Sequence, residues 1–182
     1  MIREVFHEDI PACVNIIKQS FKTVADEFGF TEENAPRFTA FATSEERLLW
    51  HMDARPWVKR KSSPDFNWGI VLKESNKVVG MIEVFNIQNA RMGDIGYRIS
   101  PEYWNMGITT EALKEVVRFI FENTELDRLN GNADVRNIAS NKVMEKCGFI
   151  KEGTVRQGKM VSVYCDYNIY GMLRDDYMGL LR

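Results

Sequence analysis

Histidine is nearly missing from this chain, with two in 182 residues, and the three cysteines, Cys13, Cys147 and Cys165, lie far apart with no CxxC pair. Neither a zinc site nor a disulfide framework is supported, and no metal is expected. Charge of one sign is missing too: 24 basic residues face 26 acidic ones, for a net charge of -2. Nucleic acid is bound through a basic surplus, so no such partner is expected, and the triplet Lys59, Arg60, Lys61 reads as a solvated face. No apolar run approaches the roughly 18 residues of a membrane span, and MIREVFHEDI carries charges where a signal peptide needs an apolar stretch. The expectation is a reduced, cytoplasmic chain with no membrane partner. Internal repeats and low-complexity linkers are absent, so residues 1–182 are read as a single domain, and a 45% hydrophobic fraction suffices for a core.

What is present is an ordered alternation of strand and helix signals. IREVF at 2–6 reads as a strand, followed by a helix from about Glu8 with Ile10, Val14, Ile17 and Phe21 at helical spacing. Residues 22–66 are the least regular part. Within them Thr43 and Glu46 form a capping-box pair ahead of Leu48, Leu49 and Met52, with Pro56 beyond. A hairpin follows, with strands at 67–74 and 77–86, and another strand at 92–99. The clearest helix is Thr109 to Asn123, where Leu113, Val116, Val117, Ile120 and Phe121 form one stripe. A strand near 128–135, a short helix capped by Asn137 and ended by Gly148, and two strands at 149–156 and 160–173 complete the chain. In the last strand Val161, Val163, Cys165, Tyr167 and Ile169 alternate with Ser162, Tyr164, Asp166 and Asn168. The layout is α/β (α+β): a mixed sheet with helices on both faces.

The informative join lies between the strand ending at Ile99 and the helix near Thr109, where a loop containing Asn105 and Gly107 meets a helix N-terminus. Free N–H groups and the positive dipole end make such a terminus suited to phosphate. No GK[ST] follows and there is no GxGxxG, so neither a Walker loop nor a dinucleotide fold is indicated, and a GTP or ATP switch protein is disfavoured. Alone, a strand, a loop and a helix with one glycine can be plain structure.

In company the loop becomes specific. IGYRISPEYWNMGITTEAL at 95–113, followed by NIASNKVMEKCGF at 137–149, resembles the GNAT superfamily of acetyl-CoA-dependent N-acetyltransferases, in particular the Rim-type branch acting on ribosomal-protein N-termini. The family's pyrophosphate loop, in this branch often W-G-K-G-Y-A-T-E-A, stands here as Trp104, Asn105, Met106, Gly107, Ile108, Thr109, Thr110, Glu111, Ala112. Asn137, Ser140, Lys146, Gly148 and Phe149 meet the second motif. The resemblance implies a mostly antiparallel sheet splayed in the middle. It also implies that the backbone at Trp104, Asn105, Met106, Gly107, Ile108 and Thr109 holds the CoA pyrophosphate, with Ile99, Asn137 and Ser140 beside the rest of that co-substrate. Asn105 and Thr109 are bulkier than the family's frequent glycine and alanine, and asparagine tolerates positive φ.

Acetylation of an amine needs a proton acceptor, because a protonated amine is no nucleophile. Glu83, sharing a strand face with Val79, Met81 and Phe85, is the candidate base, since apolar neighbours raise a carboxyl pKa; an ordinary surface carboxylate or ion pair is the bland alternative. Asp94 is the second candidate. The family's frequent acid, a tyrosine in the second motif, is Met144 here, and the resembled branch uses the serine that matches Ser140. A glutamate found before the last strand in part of that branch is matched by Lys159. The resemblance implies that acceptor selection falls to residues 20–66 and the closing hairpin; the former hold Phe21, Phe28, Phe30, Phe38, Phe41, Trp50 and Trp57, and Glu27, Glu32 and Glu33 could attract a cationic amine. His51 with Cys147 makes no credible protease triad. The expected partner is therefore a small-molecule amine or a peptide N-terminus, with a homodimer common in the family; the alternative is a CoA-binding module without catalysis.

Overall fold

The computed structural model describes residues 2–4, 6–36, 39–46, 48, 66–160 and 163–181. Its strands are β1 (Ile2–Glu4), β2 (Phe66–Val71), β3 (Val78–Gln88), β4 (Met92–Ile99), β5 (Arg128–Asp134), β6 (Ile150–Met160) and β7 (Val163–Leu173). They form one seven-stranded sheet in the order β1-β2-β3-β4-β5-β7-β6. Every neighbouring pair is antiparallel except β4 and β5. The helices are α1 (Ile10–Phe28), α2 (Thr39–Ala42), α3 (Ile108–Asn123), α4 (Ile138–Lys146) and α5 (Arg174–Leu180). Among the described residues no helix is long and apolar enough to cross a membrane.

Successive side chains on a strand point to opposite faces, and β3 uses both. Met81 packs with Val71 and Val78 against Cys13, Ile16 and Ile17 of α1. Ile82 and Val84 join the larger core, where Leu113, Val116 and Ile120 of α3 are wholly buried. The stripe read from the sequence is therefore the face of α3 that meets the sheet, and the expected mixed sheet with helices on both faces is the architecture observed.

Several expected boundaries are corrected. Residues 22–28 are helical, because Ala25 continues the buried stripe and Gly29, at φ 64°, supplies the left-handed stop. The Thr43 capping box is not formed: the Thr43 hydroxyl donates back to the Thr39 carbonyl at 2.7 Å, and the next turn starts from Ser44, whose carbonyl accepts the Leu48 N–H. In the closing hairpin, 157–159 is not a turn. Gln157, at φ 48°, and Gly158 form a bulge inside β6, and Gly158 is required because a Cβ there would lie 2.6 Å from Tyr167. The alternation in β7 also fails at Asn168, which is buried together with Tyr170 and Met172. The expectations placed on Phe38, Leu49, Trp50, His51, Met52, Pro56, Trp57, Lys59, Arg60, Lys61, Val161 and Ser162 lie outside the described residues.

A bidentate ion pair ties β1 to the start of α1: the Arg3 guanidinium donates to Asp9 at 2.6 and 2.8 Å, and the Phe6 N–H donates to the same carboxylate. The Arg3 hydrogen bonds hold the Asp9 carboxyl below the usual carboxylate range, against the opposing effect of burial. Because folding lowers this pKa, the contribution is fully present above the unfolded value near 3.9 and is lost as the pH falls through the folded value. Asp9→Asn is expected to lower the urea midpoint at pH 7 and to shrink that deficit as the pH drops toward 3; a pH-independent deficit would contradict the assignment.

Candidate active site

The parallel junction between β4 and β5 is paired only at its start, where Met92, Gly93 and Asp94 meet Arg128, Leu129 and Asn130. Beyond that the strands carry different partners: among the described residues Gly96–Ile99 pair only with β3, and Gly131–Asp134 only with β7. The sheet therefore opens as a wedge toward the C-terminal ends of both strands. At its vertex Met144, 1% exposed, fills the space over Gly131, where a Cβ would collide with the Met144 methyl and lie 3.4 Å from Ile95. The position where the resembled family often has a tyrosine is thus a core position here.

At the open end of β4 the chain passes through a 3-10 turn at Pro101–Tyr103 and enters α3 through Asn105, at φ 60°, and Gly107, at φ 78°. The left-handed turn expected to be tolerable for Asn105 is the one it adopts. Gly107 is the N-cap of α3 and gives no side-chain cap, so the first-turn N–H groups of Ile108, Thr109 and Thr110 have no partner inside the helix. A Cβ at Gly107 would meet nothing within 4 Å. Trp104 and Met106 are exposed, and the Trp104 indole donates to the Ile99 carbonyl at 3.2 Å, joining the loop to the strand edge. Uncapped donors at a 16-residue helix, opening on free space, suit an anionic group such as a pyrophosphate.

Glu83 faces Gly96 across the β3–β4 pair, on the α1 side of the sheet. Its surroundings differ from the apolar ones expected: Arg98 Nη2 donates to Glu83 Oε1 at 2.8 Å, and the Arg98 guanidinium lies 5.9 Å from the Phe21 ring. Arg98 could not be placed there without knowing the register of β4 on β3. Asp94, the second candidate, sits at the closed end, where its oxygens accept from Asn86 at 2.7 Å and Asn130 at 3.1 Å. Arg128 continues this chain to Asn130 and Glu152, so Asp94 has a structural occupation.

Ser140 approaches from the opposite face. Asn137 caps α4 as expected, its side chain accepting the Ser140 N–H at 3.0 Å. Across the wedge, Tyr97 of β4 brings its hydroxyl to 2.9 Å from Ser140 Oγ and donates to the Ser140 carbonyl at 3.1 Å. Burial pushes the Tyr97 phenol up, opposed by its hydrogen bond to Ser140. Sequence reasoning missed Tyr97; its only signal was a tyrosine in the IGYRI strand beside the loop. It missed Asn141 as well, a buried amide that donates to the carbonyls of Asp134 and Asn137 and accepts from Asn168 at 2.7 Å and Tyr170 at 2.8 Å. That network seats α4 on β5 and β7.

On the α1 face one helix spans the mouth. Gln19 accepts from Ser100 at the end of β4, and Phe21 lies against Arg98. Two turns on, Glu27 pairs with Arg136, which is also held by Asp134 at 2.6 Å and lies 5.2 Å from the Phe28 ring. Phe21, Phe28, Phe30 and Phe41 are thus on this side, where acceptor selection was expected, while Lys159 is exposed on the edge strand β6.

Comparison with known proteins gives a family model described as an acetyltransferase (GNAT) domain, matching residues 2–150. The uncharacterized N-acetyltransferase YoaA of Bacillus subtilis is 33% identical over 109 residues, 59% of this chain and 62% of that protein. The ribosomal-protein-serine acetyltransferase of Escherichia coli is 29% identical over 108 residues, 58% of this chain and 60% of that one. In both cases less than two thirds of the relative is matched. The crystal structure of spermidine N-acetyltransferase from Vibrio cholerae in complex with CoA and spermine superposes with a TM-score of 0.75 at 15% identity, over 98% of this chain and 97% of that one.

Proposed function

The chain belongs to the GNAT acetyltransferase family, and from that premise we propose that it is an acetyl-CoA-dependent N-acetyltransferase acting on a primary amine, a small molecule or a peptide N-terminus, by direct transfer in a ternary complex. The observation that carries this reading is the coincidence of the open β4–β5 wedge with an uncapped, left-handed entry into α3 at the same end.

Acetyl-CoA supplies an acetyl group on an activated thioester. The backbone from Trp104 to Thr109 holds its pyrophosphate, and the free edge of β4 up to Ile99 takes the extended arm in the manner of an added strand. Glu83 accepts the amine proton, directly or through a water. Arg98 occupies one of its oxygens, and among the described residues Oε2 takes no hydrogen bond, which keeps an acceptor available. Ser140, capped by Asn137, offers its hydroxyl from the other face, so proton acceptor and hydroxyl donor stand on opposite sides of the wedge. Holding the amine and the thioester in register supplies much of the rate. A peptide N-terminus and a free polyamine both fit an aromatic wall on the α1 side. The lysine at position 159 weighs against carrying the ribosomal-protein mechanism across whole.

The direct test is incubation with acetyl-CoA and a panel of polyamines, amino sugars and peptides with free N-termini, reading CoA release and product mass. One acetylated amine supports the reading. Binding of acetyl-CoA with no transfer to any amine would favour the binding module instead.

A further inference from the structure

We infer that Tyr97 is a positioning residue: its hydroxyl directs the proton of Ser140 into the β4–β5 wedge, toward the sulfur that leaves there. This rests on the proposed transferase reading, and on a contact that crosses the opening, since Tyr97 comes from β4 and Ser140 from the helix after β5.

Ser140 Oγ and the Ser140 carbonyl lie 2.9 and 3.1 Å from the Tyr97 oxygen. The phenol proton can therefore rest on either by rotating, with no heavy atom moving. When it rests on the carbonyl, the Ser140 hydroxyl donates to Tyr97 and its proton is turned away from the wedge. When it rests on Oγ, the Ser140 proton is released to point elsewhere. Negative charge growing on a sulfur in the wedge favours the second arrangement, in which the phenol donates to Ser140 Oγ and the Ser140 hydroxyl turns toward the sulfur.

Two features keep the serine from being diverted. A serine in the first turn of a helix otherwise bonds to a carbonyl one turn back, but the Asn137 carbonyl already accepts both the main-chain N–H and the side-chain amide of Asn141. A carbonyl has two lone pairs, so that acceptor is filled. The second feature is burial of the phenol, which keeps Tyr97 protonated and makes it a hydrogen-bond donor throughout. No proton is transferred: the C–S electron pair leaves with sulfur as a thiolate, stabilised by Ser140, and the thiolate is protonated later by solvent. Tyr97 thus supplies from β4 the hydroxyl that position 144, filled by a buried methionine, cannot supply from α4.

The test needs no acceptor. CoA is bound to wild type, Tyr97→Phe, Ser140→Ala and the double variant, and the thiol of bound CoA is titrated by its thiolate absorbance. Each single substitution is expected to raise that pKa by about one unit. The double variant is expected to match Ser140→Ala alone, and with an acetylated amine in hand Tyr97→Phe should lower kcat about tenfold at constant KM for acetyl-CoA. An equal rise from Tyr97→Phe in the Ser140→Ala background would overturn the inference, as would no rise from Tyr97→Phe in the wild type. Wild-type protein that binds no CoA would overturn the transferase reading itself, and this inference with it.

Discussion

Glu83→Gln is expected to lower kcat by about 100-fold or more, the usual scale for removing a positioned general base, while the affinity for acetyl-CoA stays within about twofold of wild type. The substitution is nearly isosteric, and the remaining amide oxygen can still accept from Arg98, which holds Glu83 Oε1 at 2.8 Å in the wild type. The fold should therefore survive, and the loss should be confined to the step in which the amine gives up its proton. The separation between binding and turnover follows from geometry: the loop proposed to hold the pyrophosphate begins beyond Ile99, whereas Glu83 lies across from Gly96 on the α1 face. The measurement is steady-state kinetics with spermidine, or with a peptide bearing a free N-terminus, alongside calorimetric titration of acetyl-CoA. A kcat within threefold of wild type would remove Glu83 from the mechanism and leave its ion pair as a structural feature.

The largest stability effect is expected at Asn141. Replacing it by leucine keeps the volume but removes a group that makes four hydrogen bonds, to the carbonyls of Asp134 and Asn137 and from Asn168 and Tyr170. Asn168 is 7% exposed, so its amide cannot turn to water, while the wholly buried Tyr170 hydroxyl is left with only its longer 3.4 Å bond to Glu145. Each buried polar group left without a partner costs about 1–3 kcal/mol. A loss of about 3 kcal/mol in unfolding free energy is expected, allowing for partial relaxation of the network. Urea denaturation reads this as a lower midpoint at an unchanged m value. A loss under about 1 kcal/mol would mean that α4 is held by its apolar contacts alone.

The parts of the fold carried by local periodicity were legible in the chain. Leu113, Val116 and Ile120 announce α3 because one stripe faces one sheet, and Asn137 announces α4 because a cap needs only its own first turn. The loop was legible for the same reason, since Asn105 and Gly107 meet a local backbone demand. What escaped depended on long-range register. Arg98 reaches Glu83 only through the pairing of β4 on β3, and Tyr97 reaches Ser140 over 43 residues of sequence. The Gln157–Gly158 bulge looks like a turn in sequence because glycine serves both. Asn168 looked outward because a polar residue alternating with apolar ones usually is, and only the position of Asn141 makes its burial satisfiable.

The central claim is that the β4–β5 wedge and the Asn105–Gly107 loop form one acetyl-transfer site, and product mass tests it most directly. Wild-type protein with acetyl-CoA should add one acetyl group to at least one primary amine of the panel, with release of one equivalent of CoA, and Glu83→Gln should leave that amine unmodified under the same conditions. An acetylated product formed equally by both proteins, or no product with any amine while acetyl-CoA remains bound, would contradict the account.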